Sequence, residues 1–358
     1  MSQANSPVVT VIVPARNEEA CLGSCLESLA TQAGIDCEII VVDDGSTDRT
    51  SEIAKSFSEP GTLNRVSDHV PGHNPDLRGG APVTVISAPP LPDTWTGKNN
   101  AMASGAKIAR GKWLLFTDAD TVHKPGSLAR AVAEAEGHRA ALLSYSPEQE
   151  VRTFFEKAVM PVIFAELAAT YPPKKVSDPS SPIAAANGQY LLISREVYDA
   201  VGGHTKISNH ILEDVAMARL VKASGRKVVF RYGGDAVRTR MYRSWAQMKE
   251  GWMKNLALLF RRPVRRALML VGFWVLAWVT LGLGLAAIVS GNWRTAYYLL
   301  PWFLLYARVA SAKFGARANL VALAFGVPLV AYLFAGSIIE RRNGAVTWKG
   351  RIYQSDIA

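Results

Sequence analysis

The sequence is short of cysteine, of acid where its base is densest, and of any charge across one long apolar run. Cys21, Cys25 and Cys37 are the only cysteines in 358 residues. An odd three argues against a disulfide framework and suits a reducing compartment. Cys21 and Cys25, four apart on an expected helix, read as core or half-buried residues. The amino terminus shows no basic region leading into an apolar segment and a cleavage site, because VVTVIVP already reads as a strand. The expectation is that no signal peptide is present and that the soluble part stays in the cytoplasm. The first strand also lacks a glycine-rich loop at its end. It meets Pro14, Ala15, Arg16, Asn17, Glu18 and Glu19 instead, which argues against a sugar nucleotidyltransferase.

Acid is scarce between Lys222 and Arg266. Thirteen Lys or Arg there face only Asp235 and Glu250, and this segment holds the whole excess behind the chain's formal charge of +10. It ends in RRPVRR, Arg261–Arg266, directly before the uncharged run Ala267–Val289. Such a run is long enough to cross a hydrocarbon core of roughly 30 Å. A basic cluster beside a span marks the cytoplasmic side and attracts anionic lipid. Anionic membrane lipids, and no nucleic acid, are therefore the expected partners of the charge.

Two further apolar stretches follow, Ala296–Ala310 and Asn319–Ile339. Three full spans would place ERRNGAVTWKGRIY and its four positive residues outside, against the positive-inside tendency. The middle stretch is short and holds Arg308, and the last has Gly326 and Pro328 at its centre, so either could be re-entrant or interfacial. The number of spans stays open, as does the oligomeric state.

What is present is a βα alternation. VTVIVPA leads to a helix at Glu18–Thr31, CEIIVVDDG to STDRTSEIAKSF, PVTVISA to a helix at Lys98–Arg110, and KWLLFTDAD to KPGSLARAVAEAE. That order predicts a mostly parallel sheet with helices on both faces, followed by C-terminal transmembrane helices. Arg65–Pro82, dense in Gly, Pro, Asp and Asn, reads as a surface loop. Its Asp68, His69, His73 and Asp76 are explained better by loop composition than by a metal. Val151–Pro173 reads as a helix kinked at Pro161, either packed in a core or lying on a bilayer.

Trp113–Phe116 is an unbroken apolar run with Asp118 and Asp120 just past its end, the pattern of a strand covered on both faces. Two such carboxylates alone can be a metal site, a solvated loop or a helix-cap pair. The first strand, however, ends in Pro14–Glu19 and the second in Asp43, Asp44, Gly45, Ser46, Thr47 and Asp48. Polar clusters at one edge of consecutive parallel strands converge on one crevice. That crevice suits a nucleotide diphosphate, with carboxylates for hydroxyl and N–H groups and a divalent cation bridging to phosphate.

The motifs IVPARNEE (Ile12–Glu19), VVDDGSTD (Val41–Asp48), TGKNNAMASG (Thr96–Gly105), TDAD (Thr117–Asp120), NGQYLLISR (Asn187–Arg195) and ILEDVAMA (Ile211–Ala218) occur in this order. In them the chain resembles family 2 glycosyltransferases of the GT-A fold, over roughly Val8–Asn255. The resemblance implies that Asp44 holds nucleobase and ribose, with Pro14, Arg16, Glu18 and Lys98 lining the same pocket. Asp118 and Asp120 then match the D-x-D that grips the nucleotide sugar and its Mg²⁺ or Mn²⁺. Asp214 matches the base of an inverting single displacement, with Glu213 the lesser candidate, and Gly188 and Gln189 border the donor sugar. Taken without the other motifs, LEDV would be an acidic helix start.

Membrane relatives often carry Q-x-x-R-W near the acceptor. Here Arg240 stands in place of Gln, Arg243 fits, and Ser244 moves the tryptophan to Trp245, which speaks against processive polysaccharide synthesis. The pattern resembles instead enzymes that decorate carotenoids or hopanoids. Arg240 and Arg243 then suit a diphosphate, although a lipid-facing basic helix accounts for them too. The reading has three parts: residues 1–150 bind nucleotide sugar, 151–260 hold acceptor and base, and 261–358 lie in the cell membrane, with the catalytic domain cytoplasmic. The weighed alternatives are a polyprenyl-phosphate glycosyltransferase and a non-catalytic nucleotide-sugar-binding export subunit; the latter wants more polar span residues than Arg308.

Overall fold

The computed structural model describes residues 6–58, 80–342, 345–348 and 350–354. The Asp68, His69, His73 and Asp76 loop lies outside the described residues. Contacts divide the chain into two units, Met1–Glu148 with Pro173–Arg240, and Gln149–Pro172 with Met241–Ala358.

In the first unit the strands are β1 (Val9–Ala15), β2 (Cys37–Asp43), β3 (Val83–Ser87), β4 (Trp113–Phe116), β5 (Thr121–His123), β6 (Leu142–Ser146), β7 (Glu148–Gln149, across the unit boundary), β8 (Leu191–Ser194), β9 (Val228–Tyr232) and β10 (Val237–Thr239). Seven of them form one sheet in the order β3-β2-β1-β4-β8-β6-β9. All neighbours are parallel except at β8, which runs against both β4 and β6. Every residue of β2 and β4 is buried, as their near-continuous apolar character requires of central strands. The sheet, its helices and the C-terminal apolar helices bear out the GT-A fold class.

The reversed strand has a consequence that the βα reading did not contain. Phe116, the last residue of β4, pairs with Leu191, the first of β8. Asn187–Tyr190 thus arrive at the same sheet edge as Thr117–Asp120. Three helices start later than expected, at Leu22, Thr50 and Ser127, because the strand-end loops keep their polar residues out of the helices; the fourth starts one residue earlier, at Gly97, behind the Thr96 cap.

The second unit is helical apart from a two-stranded antiparallel ribbon, Ala345–Trp348 with Arg351–Gln354, and its core includes Val159, Ile163, Trp252, Leu256, Leu323, Val330 and Phe334. The Phe154–Thr170 helix runs unbroken through Pro161 and buries Val159, Met160, Val162 and Ile163, so the core-packing alternative holds. A full capping box starts it, Thr153 with Glu156. The middle apolar stretch breaks into a 3₁₀ turn, Trp293–Leu299, and a helix of 11 residues, Leu300–Ala310. At about 1.5 Å per residue that helix is too short to cross a bilayer. Among the described residues, two helices are long and apolar enough by length and composition, Pro263–Val289 and Ala316–Arg342, each of 27 residues.

Gly326 and Pro328 do not interrupt the second of these. A π segment, Ala322–Gly326, precedes the proline, and widening the turn there relieves the clash a proline ring makes with the preceding turn. In an i→i+5 pattern the Leu323 carbonyl would look to residue 328, which has no N–H. The indole N–H groups of Trp274 and Trp278 donate to it instead, at 2.7 and 3.3 Å. Any side chain at 326 would collide with the Ala158 carbonyl. Arg308 is not isolated either: it donates to the buried Glu166 carboxylate at 2.7 Å, which also pairs with Arg266 at 2.8 Å.

Candidate active site

The loop after β1 is stitched to the loop after β2. Arg16 Nη1 donates to the Asp44 carbonyl oxygen at 2.6 Å. The Thr47 N–H donates to Asn17 Oδ1 at 2.8 Å, and the Glu18 N–H to Thr50 Oγ1 at 2.7 Å. Asp48 accepts from the N–H groups of Thr50 and Glu19 at 2.9 and 3.1 Å. The polar residues of DDGSTD thereby hold PARNEE in place, with Pro14 half-buried at the end of β1 and the Asp44 residue 8 % exposed.

Lys98 sits at the second position of the Gly97–Ile108 helix, which Thr96 caps by accepting from the Asn99 N–H at 3.2 Å. Its Nζ lies 2.7 Å from Asp118 Oδ1 and 2.7 Å from Glu213 Oε1. Burial works against the charge of Lys98, but the two carboxylates outweigh it and hold its pKa well above the usual lysine range. Asn99 braces the same region: its Nδ2 donates to the carbonyls of Ile207, Ser208 and His210 at 2.9–3.0 Å. That loop leads directly into the helix Glu213–Ala223.

Asp214 stands in the first turn of that helix. Oδ2 accepts from the Gly188 N–H at 2.9 Å and Oδ1 from its neighbour Val215 N–H at 2.7 Å. Removal from water pushes its pKa up to about 7; the negative charge of Glu213 adds to this, while Lys98 and the two amide donors oppose it. Glycine at 188 leaves room for this arrangement, since a Cβ there would stand 3.0 Å from Glu213 Oε1 and 3.1 Å from Lys98 Nζ and would push that pair by a few tenths of an ångström. A carboxyl group titrating near neutrality is suited to taking a proton from a substrate.

Asp120 belongs to a second contact set. Gln189 Nε2 lies 3.5 Å from both its carboxylate oxygens and donates to Thr239 Oγ1 at 3.2 Å, while Thr239 Oγ1 donates to the Asp120 carbonyl at 3.1 Å. β5 pairs antiparallel with β10, and the Thr239–Thr121 register sets up that last contact. Below the loop, Thr117 Oγ1 donates to the Gln189 carbonyl at 2.8 Å. The buried His123 is depressed to about 3 by loss of water, so it is neutral and serves as packing. Burial first, and then Asp120, Asp118 and Glu18, raise the Cys25 thiol to about 12 against its Thr121 hydrogen bond. Cys25 is therefore an inert core residue, and all three cysteines are free.

The structure thus links Lys98, Asp118, Asp120, Gln189 and Asp214 at one sheet edge, with Arg16, Glu18 and Asp44 in the stitched loops of that edge. Arg240 follows β10 by one residue. Arg243 belongs to the second unit, where its N–H donates to Gln247 Oε1 at 2.9 Å. Sequence reasoning left Glu213 as a lesser base candidate; the structure makes it the anchor of Lys98. It assigned nothing to Asn99 or Thr239, whose roles depend on loops far away in the chain. Among the described residues there is no group of three or more His, Cys, Asp or Glu side chains placed to hold a metal. Asp118 and Asp120 do offer the hard oxygen donors that Mg²⁺ or Mn²⁺ takes alongside phosphate and water, and the Lys98 ammonium already sits on Asp118 as a cation would.

Comparison with known proteins gives the following likenesses. Residues 10–70 match the model of Glycosyl transferase family 2, and residues 76–251 that of Glycosyltransferase like family 2. A 4,4'-diaponeurosporenoate glycosyltransferase of Staphylococcus aureus strain MRSA252 is 27 % identical over 371 aligned positions, covering 98 % of this chain and 89 % of the relative. Among solved structures, a mannosyltransferase of Pyrobaculum calidifontis in complex with GDP-Man and Mn²⁺ superposes with a TM-score of 0.48 at 18 % identity, covering 94 % of this chain and 87 % of the other. S. aureus TarS 1–349 in complex with UDP-GlcNAc gives 0.42 at 16 % identity, covering 97 % and 96 %.

Proposed function

The chain belongs to glycosyltransferase family 2 and is an enzyme of that class, and we propose that it moves a single sugar from a nucleotide diphosphate donor, a UDP-sugar, to a lipid acceptor. The acceptor is of the carotenoid or hopanoid kind, and the reaction takes place at the cytoplasmic face of the membrane. The observation that carries this reading is Asp214, held by two backbone N–H groups with its pKa raised to about 7, beside an ion-paired Lys98 on Asp118.

In this reading Pro14, Arg16, Glu18 and Asp44 take the nucleobase and ribose, Gln189 borders the sugar, and Arg240 and Arg243 meet the diphosphate. Asp118 and Asp120 would hold Mg²⁺ or Mn²⁺, which when bound supplies charge neutralisation as the diphosphate leaves. Asp214 accepts the proton of an acceptor hydroxyl as that oxygen attacks the anomeric carbon from the side opposite the leaving group, inverting it. Residues 1–150 serve the donor, 151–260 the acceptor and base, and 261–358 the membrane. Two spans, rather than three, return the basic tail to the side of RRPVRR, as the positive-inside tendency favours, and RRPVRR meets anionic lipid.

A polyprenyl-phosphate acceptor is the second reading; it arrives already anionic and asks little of Asp214. The test uses the full chain in detergent with a panel of UDP- and GDP-sugars and a carotenoid acid or alcohol, with Mn²⁺, Mg²⁺ or EDTA, beside Asp120→Asn. Transfer from one donor, lost with EDTA and with the substitution, is the expected result. Tight donor binding without turnover on any lipid would overturn the proposal.

A further inference from the structure

Trp245 is the residue the shifted motif left without a role. In the second unit Ser244 caps the Trp245–Leu259 helix, its Oγ accepting from the Gln247 N–H at 3.2 Å, which fixes Trp245 at the first helical position. Its ring lies 4.7 Å from Phe155 and 6.4 Å from Tyr332, the latter stacked at 26°. Phe155 meets Phe154 at 5.5 Å, and Phe154 meets Phe325 at 5.4 Å. Five rings from three separate segments therefore form one unbroken ladder. Four of them stay open: Phe154 is 49 % exposed, Phe155 37 %, Phe325 54 % and Tyr332 48 %.

Single exposed rings occur elsewhere in this unit, at Trp278, Trp293, Tyr297 and Phe303, as membrane interfaces favour. What sets the ladder apart is its continuity: apart from Trp278 the open face of the Pro263–Val289 helix is aliphatic, with Leu268, Met269, Val279, Leu283 and Leu285 exposed. Aromatic rings in offset and edge contact add a preference for flat π systems on top of area burial. A conjugated polyene is flat, stiff and polarisable, and it loses little freedom when laid along a row of rings. The end of the ladder at Trp245 and Tyr332 also carries charge. Lys249 Nζ stands 5.8 Å from the Tyr332 ring centroid, within electrostatic reach of Glu340, which Glu250 also faces, so a polar head group is met at this end.

We propose that the ladder Phe325, Phe154, Phe155, Trp245 and Tyr332 is the subsite for the apolar chain of the acceptor, and that it selects a conjugated polyene over a saturated chain. This rests on the lipid-acceptor reading above. The test takes the full chain in detergent, with a conjugated tetraenoic fatty acid as probe and a saturated acid of equal length as comparison. Binding of the tetraene is read by energy transfer from tryptophan, and binding of the saturated acid by its competition with the probe. Phe155→Leu/Tyr332→Leu keeps the surface apolar and removes two rings; Leu268→Ala on the exposed face of the Pro263–Val289 helix is the control.

The double variant is expected to weaken tetraene binding about tenfold, to leave the saturated acid unchanged, and to leave acceptor-independent hydrolysis of the donor at the native rate. The control should bind as the native chain does. Equal tetraene binding by variant and native chains, or equal loss of both acids, would overturn the subsite and leave a lipid-facing surface. If the native chain binds no polyene while glycosylating some other acceptor, the acceptor reading fails and the subsite with it.

Discussion

Replacing Glu213 by Gln should move the acid limb of the pH–rate profile to lower pH. The base must be ionised to act, so kcat/KM rises with pH through the pKa of Asp214, placed at about 7 in the native chain. The negative charge of Glu213, one residue away and 6 % exposed, is one of the two influences that raise that pKa. A unit charge at such short range, under an effective dielectric near 20, is worth about 1–3 kcal/mol, which corresponds to about one pH unit or somewhat more. Lys98 keeps its 2.7 Å pair with Asp118 in the variant, and its charge pulls Asp214 the same way. At pH 6 about a tenth of native Asp214 is ionised, against about half in the variant, so kcat/KM relative to its own plateau should be about fivefold higher. Initial rates of sugar transfer from pH 5 to 9 at fixed ionic strength decide it. A limb that stays in place, or moves to higher pH, refutes the coupling of Glu213 to Asp214.

Three other outcomes follow from the same contacts. Gly188→Ala should lower kcat by several-fold, up to about tenfold, with far-ultraviolet circular dichroism unchanged, because the new Cβ crowds Glu213 Oε1 and Lys98 Nζ and shifts the ion pair beside Asp214. Asp214→Asn should melt at a higher temperature than the native chain at pH 8 but not below pH 4. The Asp214 carboxyl binds its proton more tightly folded than unfolded, so the stability this group contributes is full at low pH and is lost as pH rises through about 7. Trp274→Phe removes one of two indole donors to the Leu323 carbonyl and should cost about 1 kcal/mol, seen as a lower unfolding temperature in detergent.

The sheet was legible because its strands are apolar without alternation and each ends in a polar cluster. β1 and β2 follow VTVIVPA and CEIIVVD residue for residue, and the pocket side of the site follows from which strand ends lie together. β8 was not legible. LLIS carries no mark of direction, and its reversal depends on pairing with β4 and β6, which lie 75 and 45 residues earlier from last residue to first. Glu213 was visible only as one of two adjacent acids, and its bond to Lys98 depends on a helix more than a hundred residues upstream. Arg308 looked like a lone charge in an apolar stretch because its partner, Glu166, sits on a helix that the sequence allowed equally well in a core or on a bilayer. Pro328 looked like a break for a similar reason: the indole donors that satisfy Leu323 come from another helix.

The central claim is that Asp214 takes the proton of an acceptor attacking a nucleotide-bound sugar. The most direct measurement is the transfer rate of native and Asp214→Asn chains on paired lipid acceptors differing only in a terminal hydroxyl or carboxyl group, with the anomeric configuration of each product read by nuclear magnetic resonance. The account predicts inverted products from the native chain, and a loss of about 10²–10⁴ on the hydroxyl acceptor with a much smaller loss on the carboxylate. Retained configuration, or an Asn variant as fast as native on the hydroxyl acceptor, would contradict it.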